Sequence, residues 1–216
     1  MWFVLRVLAM EAAILIILLT AAGRVDLPWC WALVAVHALC VGSYIRVMDP
    51  DLRRERLKPG GGEHDRWLRL AILPLVMIHL VVAGLDLRFG WSGTMSPSFH
   101  IAGIAIMATA IVFTTWAVRS NRFFSSVVRI QHDRGHHVVT SGPYRLVRHP
   151  GYLGMLVGAI GGAIGIGSWW SLLPVLPLVL VLATRAWREE CLLRQSLAGY
   201  AEYAQSVRFR LLPGVW

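Results

Sequence analysis

Three histidines and two arginines lie within one short stretch of the sequence, residues 136–154, at the start of an apolar block. Pro150 suits the first turn of a helix and restricts His149 to an extended conformation. Arg148, His149 and Tyr152 should therefore cluster at a helix start, where free N–H groups and the helix dipole favour an anion. The same residue types also suit a basic anchor at a membrane interface, and the pattern alone leaves both interpretations open.

A second group of ionisable residues, 185–194, follows the last apolar block. On a helix, Arg185 and Glu189 would be spaced as one i,i+4 pair, and Glu190 and Arg194 as another. These pairs could be surface salt bridges. However, adjacent glutamates at the end of a membrane helix are costly unless they meet water, a cation or a ligand. Carboxylates accept hydrogen bonds from ribose hydroxyls and from ammonium groups, so a ligand is a second interpretation.

Long apolar blocks must position both groups. Hydrophobic residues make up 56% of the 216 residues and charged residues only 15%, whereas a soluble domain carries about 25% charged residues. Spanning a bilayer takes about 20 apolar residues in a helix, which also pairs its own backbone groups inside lipid. We therefore predict an all-α integral membrane protein with about six hydrophobic helical segments, the last two forming a hairpin. The predicted segments are residues 7–22, 28–48, 68–87, 99–118, 152–167 and 169–184.

The positive residues are distributed unevenly between the two sides of this arrangement. With the N-terminus inside, the inner segments (the N-terminus, 46–69, 119–150 and the tail from 185) hold 19 Lys and Arg residues, and the outer loops hold 2. Because Lys and Arg are retained on the cytoplasmic side, we predict both termini in the cytoplasm. Within the 46–69 loop, the composition suits an interfacial helix followed by a turn at residues 59–62, or a solvated charged loop.

The net charge of +9 is explained by this membrane asymmetry, and without a basic aromatic patch we predict no nucleic-acid partner. Three widely spaced cysteines form no metal-ligand pair, so no metal site is predicted. Glycines spaced by four in residues 154–165 favour close helix packing rather than a dinucleotide fingerprint. Glu11, His37 and His79 lie inside predicted helices and are functional candidates by position, although a packing role is the simpler interpretation of a lone histidine.

Taken together, the two clusters resemble the isoprenylcysteine carboxyl methyltransferase family, which is related to the phospholipid N-methyltransferases. The resemblance runs without a gap through residues 137–154, including the pattern G-P-Y-x-x-x-R-H-P-x-Y-x-G. It continues with an R-x-x-x-E-E element at residues 185–190, a Y-x-x-Y element at 200–203 and V-x-x-R-x-x-P at 207–213. Residues 121–125 also resemble bacterial members, which implies a location in the bacterial inner membrane. The resemblance thus covers about residues 119–216.

The resemblance implies a methyltransferase that uses S-adenosylmethionine, bound in a cytoplasmic C-terminal region. Arg148 would orient the nucleophile, with Glu189 and Glu190 as the other catalytic candidates. Asn121 and Arg185 are the implied substrate-binding residues. The residues implied to hold the cofactor are His137, Val138, Gly142, Pro143, Tyr144, His149, Tyr152, Glu189 and Glu190.

The implied acceptor is a lipophilic small molecule or lipidated substrate within the bilayer, with carboxyl O-methylation as the expected reaction. Phospholipid N-methylation and thiol methylation stay open: a carboxylate needs only orientation, whereas an amine needs a base such as Glu or His, and the sequence has both. An NADPH-dependent membrane reductase of the sterol-reductase type is a further alternative, as is a membrane protein without enzymatic activity. We predict transmembrane helices in residues 1–118 and the methyltransferase core in 119–216; the sequence does not specify an oligomeric state.

Overall fold

The computed structural model describes residues 2–59 and 65–216, and all regular structure in these residues is helical. Eight α-helices are joined by loops and by short 3-10 turns at His132–Arg134, Gly142–Arg145 and Trp170–Leu172. The helices are α1 (Trp2–Ala22), α2 (Pro28–Val47), α3 (Pro50–Leu57), α4 (Arg66–Phe89), α5 (Pro97–Ser120), α6 (Pro150–Ile166), α7 (Val175–Ser196) and α8 (Tyr200–Ser206).

Five helical stretches among the described residues are long and apolar enough to cross a membrane, and α6 is a shorter apolar helix. The prediction of an all-α membrane fold with about six apolar segments is thereby confirmed. The sixth apolar segment was predicted to end at residue 184, and the charged residues 185–194 that follow it continue the same helix, since α7 extends to Ser196. Charged residues end an apolar pattern, but their side chains do not interrupt backbone hydrogen bonding. The five long stretches are Val4–Ala22, Pro28–Val47, Arg66–Phe89, Pro97–Ser120 and Trp170–Ser196.

Two buried serines, Ser168 and Ser171, anchor the turn between α6 and α7 to the helix bundle, while the tryptophans between them are exposed. Ser168 has no exposed surface, and its hydroxyl donates to Asp86 of α4 at 2.5 Å. Two histidines hold backbone carbonyls near the same turn: His79 Nδ1 lies 2.8 Å from the Ser171 carbonyl, and His100 Nδ1 lies 2.9 Å from the Gly165 carbonyl. His79 therefore has the packing role that we expected for it.

The glycines of α6 allow it to pack closely against α5, as their spacing predicted. A Cβ added at Gly161 would lie 2.5 Å from the Met107 backbone nitrogen, and one at Gly154 would lie 2.0 Å from Thr114 Oγ1. Gly158, by contrast, has no neighbour closer than 3.8 Å. Close backbone approach is a recognised source of helix association in lipid. Helix α5 lies almost entirely before residue 119 and α6 lies after it, yet the two helices pack closely together. The predicted division of the chain into two domains between residues 118 and 119 therefore stays a prediction.

The short helix α3 confirms the helical interpretation of the charged 46–69 segment, while residues 60–62 of the predicted turn lie outside the described residues. Leu52 is fully buried against Met48 and Val118 at the C-terminal ends of α2 and α5. On the same helix, Glu55 is buried and receives two hydrogen bonds from Arg129, at 3.0 and 2.7 Å. Helix α3 is therefore fixed to the loop that follows α5.

Exposed tryptophans mark two levels along the helices, as expected for side chains at the two membrane interfaces. One group, near the α6–α7 turn, includes Trp91 and Trp170, whose ring centroids are 6.3 Å apart. At the opposite helix ends, Trp67, Trp116 and Trp187 are exposed. Glu189 and Glu190 follow Trp187 by two and three residues on α7. The two glutamates therefore lie near this interface rather than in the centre of the bilayer.

Within the bilayer-spanning part, Glu11 of α1 and His37 of α2 form a polar pair. Glu11 Oε2 and His37 Nδ1 are 2.9 Å apart, and Glu11 is buried. The pair links the first two helices, which is the packing role that we expected for His37.

Candidate active site

A cavity opens where the loop after α5, the first turn of α6, the end of α7 and α8 come together. The space between its walls is about 880 Å³, a volume that includes open solvent at its mouth. Phenyl and aliphatic side chains form much of its wall, and polar groups reach it from α6, α7 and α8. The apolar wall includes Phe123, Phe124, Val128, Val138, Leu193 and Leu197.

Arg148 is buried beside this cavity, and most of its hydrogen-bonding capacity is already used. Nε and Nη2 donate to the two carboxylate oxygens of Glu190 at 2.7 and 3.1 Å. Nη1 lies 2.6 Å from the Val207 carbonyl and 3.0 Å from the Arg208 carbonyl, with the Ala204 carbonyl at 3.3 Å. Such contacts suit a residue that holds the segment after α8 against the site.

Glu190 is likewise enclosed: its exposed fraction is 2%, and it does not line the cavity. In addition to the two bonds from Arg148, Oε2 accepts a bond from Arg210 Nε at 3.1 Å. Oε1 lies 3.2 Å from His149 Nε2. A carboxylate with this many partners is bound as part of the scaffold, because loss of Arg148, which binds both of its oxygens, would leave a buried charge without its principal partner.

Glu189, in contrast, lines the cavity and is partly exposed. Its Oε2 accepts a hydrogen bond from the Tyr152 hydroxyl at 2.8 Å and lies 3.7 Å from His149 Nδ1. The rings of His149 and Tyr152 are stacked, with centroids 5.4 Å apart. Among the described residues no donor bonds to Glu189 Oε1, so one carboxylate oxygen is available to a ligand.

Besides Tyr152, the residues Tyr144, Tyr200 and Tyr203 also line the cavity. The Tyr144 hydroxyl accepts a hydrogen bond from Asn121 Nδ2 at 3.0 Å, which leaves its own proton available to an acceptor. The Tyr144 carbonyl accepts a hydrogen bond from the Tyr203 hydroxyl at 2.8 Å, which links the Gly142–Arg145 turn to α8. Burial raises the pKa of Tyr144 and of Tyr200, so both phenols are neutral donors at physiological pH.

His136 lines the cavity although the sequence analysis did not select it. Its Nδ1 accepts the Gln131 backbone N–H at 3.3 Å, which places the ring proton on Nε2. Burial, followed by the nearby positive charges of His137 and Arg129, lowers the pKa of His136 to about 4. Its ring is therefore neutral at physiological pH. The only available signal in the sequence was its position next to His137.

The structure brings most of the predicted site residues to this one cavity. Those that line it are Asn121, His137, Val138, Tyr144, Arg148, His149, Tyr152 and Glu189. Gly142, Pro143, Arg185 and Glu190 are not part of its wall.

Gly142 and Arg185 instead support the site from outside. Gly142 has a positive φ of 59°, and an added Cβ would lie 2.1 Å from Ser120 Oγ, so it allows the turn to approach α5. Arg185 forms an ion pair with Asp65 and donates to the Ser126 carbonyl at 2.7 Å. The sequence pairing of Arg185 with Glu189 is therefore not the principal contact, because a carboxylate distant in the chain binds this guanidinium.

The fold and the cavity define a class of protein: a polytopic α-helical membrane protein with a small-molecule site near one end of its helices. Comparison with known proteins gives a more specific result. Residues 98–198 match the family described as "Phospholipid methyltransferase". A protein of Oryza sativa subsp. indica named "Probable protein-S-isoprenylcysteine O-methyltransferase" is 33% identical over 110 residues, which cover 50% of this chain and 58% of that protein.

Two proteins of Arabidopsis thaliana are also similar. "Protein-S-isoprenylcysteine O-methyltransferase A" is 32% identical over 106 residues, 48% of this chain and 54% of that protein, and the corresponding protein B is 29% identical over 119 residues, 54% and 57%. This chain thus spans a little over half the length of the curated relatives it matches. No solved structure matches it significantly. The predicted resemblance to the isoprenylcysteine carboxyl methyltransferase family is confirmed for the C-terminal half.

Proposed function

We propose that this protein is an S-adenosylmethionine-dependent methyltransferase that acts on a lipophilic acceptor in the membrane, by carboxyl O-methylation of an isoprenylcysteine-type substrate. The observation that carries the proposal is the cavity near the helix ends, lined by residues of both sequence clusters, in which Glu189 offers a free carboxylate oxygen. The names of the plant relatives support the choice of acceptor.

The described side chains fit the proposed cofactor, which supplies, when bound, a methyl group on a positively charged sulfur. Glu189 provides a negative charge for a sulfonium or an ammonium group. The hydroxyls of Tyr144 and Tyr200 are donors for a carboxylate or ribose oxygens, and the backbone and ring at His137 are further candidates. Apolar side chains around Phe123 and Val138 offer a surface for an adenine ring.

The contacts favour different roles for the three proposed catalytic residues. Glu189 touches the cofactor, whereas Arg148 and Glu190 position the segments that surround it. A carboxylate acceptor needs orientation and exclusion of water rather than a base. Such positioning lowers the activation free energy by at best about 7–11 kcal/mol. Leu193 and Leu197 form an apolar wall along which the lipophilic part of the acceptor would lie. That Arg148 itself orients the nucleophile, as the resemblance implies, stays a prediction.

A nicotinamide cofactor fits the cavity less well. Its phosphates need cationic partners, and the arginines that line the cavity are Arg129 and Arg148. Both guanidinium groups are already bound to carboxylates, Arg129 to Glu55 and Asp133, and Arg148 to Glu190. This observation favours the methyltransferase over the reductase alternative.

We also propose that both termini face the cytoplasm, on the basis of the 19-to-2 distribution of Lys and Arg. That the membrane is the inner membrane of a bacterium rests on the resemblance of residues 121–125 to bacterial members. In a variant without its native cysteines, a cysteine at Lys58 should react with an impermeant thiol reagent only after permeabilisation, and one at Thr94 should react in intact cells. The opposite labelling pattern would reverse the orientation.

The acceptor is tested by offering three chemical classes together with methyl-labelled S-adenosylmethionine. The purified protein is incubated with an S-prenylated N-acetylcysteine, with phosphatidylethanolamine vesicles and with an aliphatic thiol. We expect label in the S-prenylated N-acetylcysteine, as a methyl ester from which dilute base releases the label. Label in the lipid amine or in the thiol would replace carboxyl methylation with the corresponding alternative, and label in none of the three would contradict the proposed acceptor class.

A further inference from the structure

The matched family region ends at residue 198, yet the last ten residues of the chain return to the site. We propose that residues 207–216, the C-terminal strap, are a positioning element of the active site, and that Arg210 is the residue through which the strap holds Glu190 and His149. The proposal rests on the proposed function for its consequence in cofactor binding. Its structural part is independent of that function.

Backbone hydrogen bonds join the strap to the start of α6. The Arg148 N–H donates to the Phe209 carbonyl at 3.0 Å, and the His149 N–H donates to the Arg210 carbonyl at 2.9 Å. His149 is the residue directly before α6, so these bonds fix the conformation from which the helix begins. The strap therefore determines where the His149 ring lies relative to the cavity.

The strap is closed on itself and anchored in the core. The N–H groups of Arg210 and Leu211 both donate to the Trp216 carbonyl, at 2.9 and 3.0 Å. The Arg210 guanidinium lies 4.8 Å from the Trp216 ring centroid, a cation–π distance. Leu211 is buried among Leu156 and Leu182, between α6 and α7. The orientation of Arg210 is thus determined by the strap.

The Arg210 side chain transmits this order to the site. Arg210 Nε donates to Glu190 Oε2 at 3.1 Å, while Arg148 binds both oxygens of the same carboxylate. Glu190 Oε1 in turn lies 3.2 Å from His149 Nε2. With Nε2 held by Glu190, the Nδ1 side of the ring is directed toward Glu189, which lines the cavity. Arg210 therefore acts through Glu190 and His149.

The test uses the full-length protein and the variants Arg210→Ala and Arg210→Lys. Arg188→Ala is the matched control, because Arg188 is an exposed arginine of α7, two residues before Glu190, and it makes no ion pair within the described residues. Hydrogen exchange is measured for peptides that cover residues 148–149 and 207–216, and S-adenosylhomocysteine affinity is measured by calorimetry. Exchange reports local opening of the strap without any requirement for activity.

We expect Arg210→Ala to accelerate exchange in both peptides at least about tenfold and to weaken S-adenosylhomocysteine binding by about tenfold, the effect of losing one charge-assisted hydrogen bond. Arg210→Lys should recover part of both losses, because an ammonium group can still reach Glu190, and Arg188→Ala should match the unsubstituted protein. Unchanged exchange in Arg210→Ala would show that Arg210 does not hold the strap in place. Faster exchange with unchanged affinity would overturn its positioning role. If the unsubstituted protein binds no S-adenosylhomocysteine, the proposed function fails and exchange alone decides whether Arg210 holds the strap.

Discussion

Replacing Arg148 with alanine is expected to destabilise the protein by about 3–5 kcal/mol, because it breaks a buried ion pair and leaves Glu190 without its principal partner. The same change removes the donors of the Val207 and Arg208 carbonyls. Methyl transfer should fall by at least about a hundredfold, since small displacements of a positioned group have costs of this size. Unfolding in detergent and turnover with labelled S-adenosylmethionine measure the two effects.

The Arg148 variant also separates a positioning role from direct contact with the acceptor. If Arg148 positions the site, cofactor affinity should fall together with stability and turnover. A variant with normal unfolding and normal S-adenosylhomocysteine affinity but lost turnover would show that Arg148 holds the acceptor, which is the role implied by the resemblance. Normal turnover and normal stability would contradict both roles. Arg188→Ala, which removes an exposed arginine nearby, should change neither quantity.

Glu189→Gln is expected to weaken S-adenosylmethionine binding by about tenfold to a hundredfold, the usual range for a hydrogen bond to a charged group. Because the Glu189 carboxylate is partly exposed and lines the cavity, its neutralisation should change the free energy of unfolding by less than about 0.5 kcal/mol. If Glu189 faces the sulfonium, binding of S-adenosylhomocysteine, whose sulfur is uncharged, should be affected less. Calorimetry with both ligands measures this difference.

The adjacent Glu190→Gln is the matched comparison, since it makes the same isosteric change one residue further along α7. Glu190 is buried and bound to Arg148, His149 and Arg210. Its neutralisation should therefore lower the stability by more than about 1 kcal/mol. The reverse result, in which Glu190→Gln is stable but binds the cofactor poorly and Glu189→Gln unfolds easily, would invalidate the assignment of the two glutamates.

Local sequence patterns predicted the features that depend on local physics. Runs of apolar residues located the membrane helices, Pro150 marked the start of α6, and glycine spacing indicated the close packing of α6. The G-P-Y and R-H-P patterns placed Tyr144 and His149, which both line the cavity. These features need only a few neighbouring residues to be specified.

Features that depend on long-range contacts were not predictable from spacing. Arg148 donates hydrogen bonds to backbone carbonyls that lie more than 50 residues away in the sequence. The ion-pair partner of Arg185 is Asp65, at the start of α4. The different environments of Glu189 and Glu190 follow from the rotation of about 100° between adjacent helical residues. Sequence alone did not specify the rotation of α7 relative to the cavity, so the two glutamates could not be distinguished.

Calorimetry of the purified protein with S-adenosylhomocysteine and with NADPH distinguishes a methyltransferase site from a reductase site. We expect saturable binding of S-adenosylhomocysteine, weakened in Glu189→Gln relative to Arg188→Ala if Glu189 contacts the ribose or ammonium group, and no heat of binding with NADPH. Binding of NADPH together with no response to S-adenosylhomocysteine would rule out the methyltransferase and identify the cavity as a reductase site.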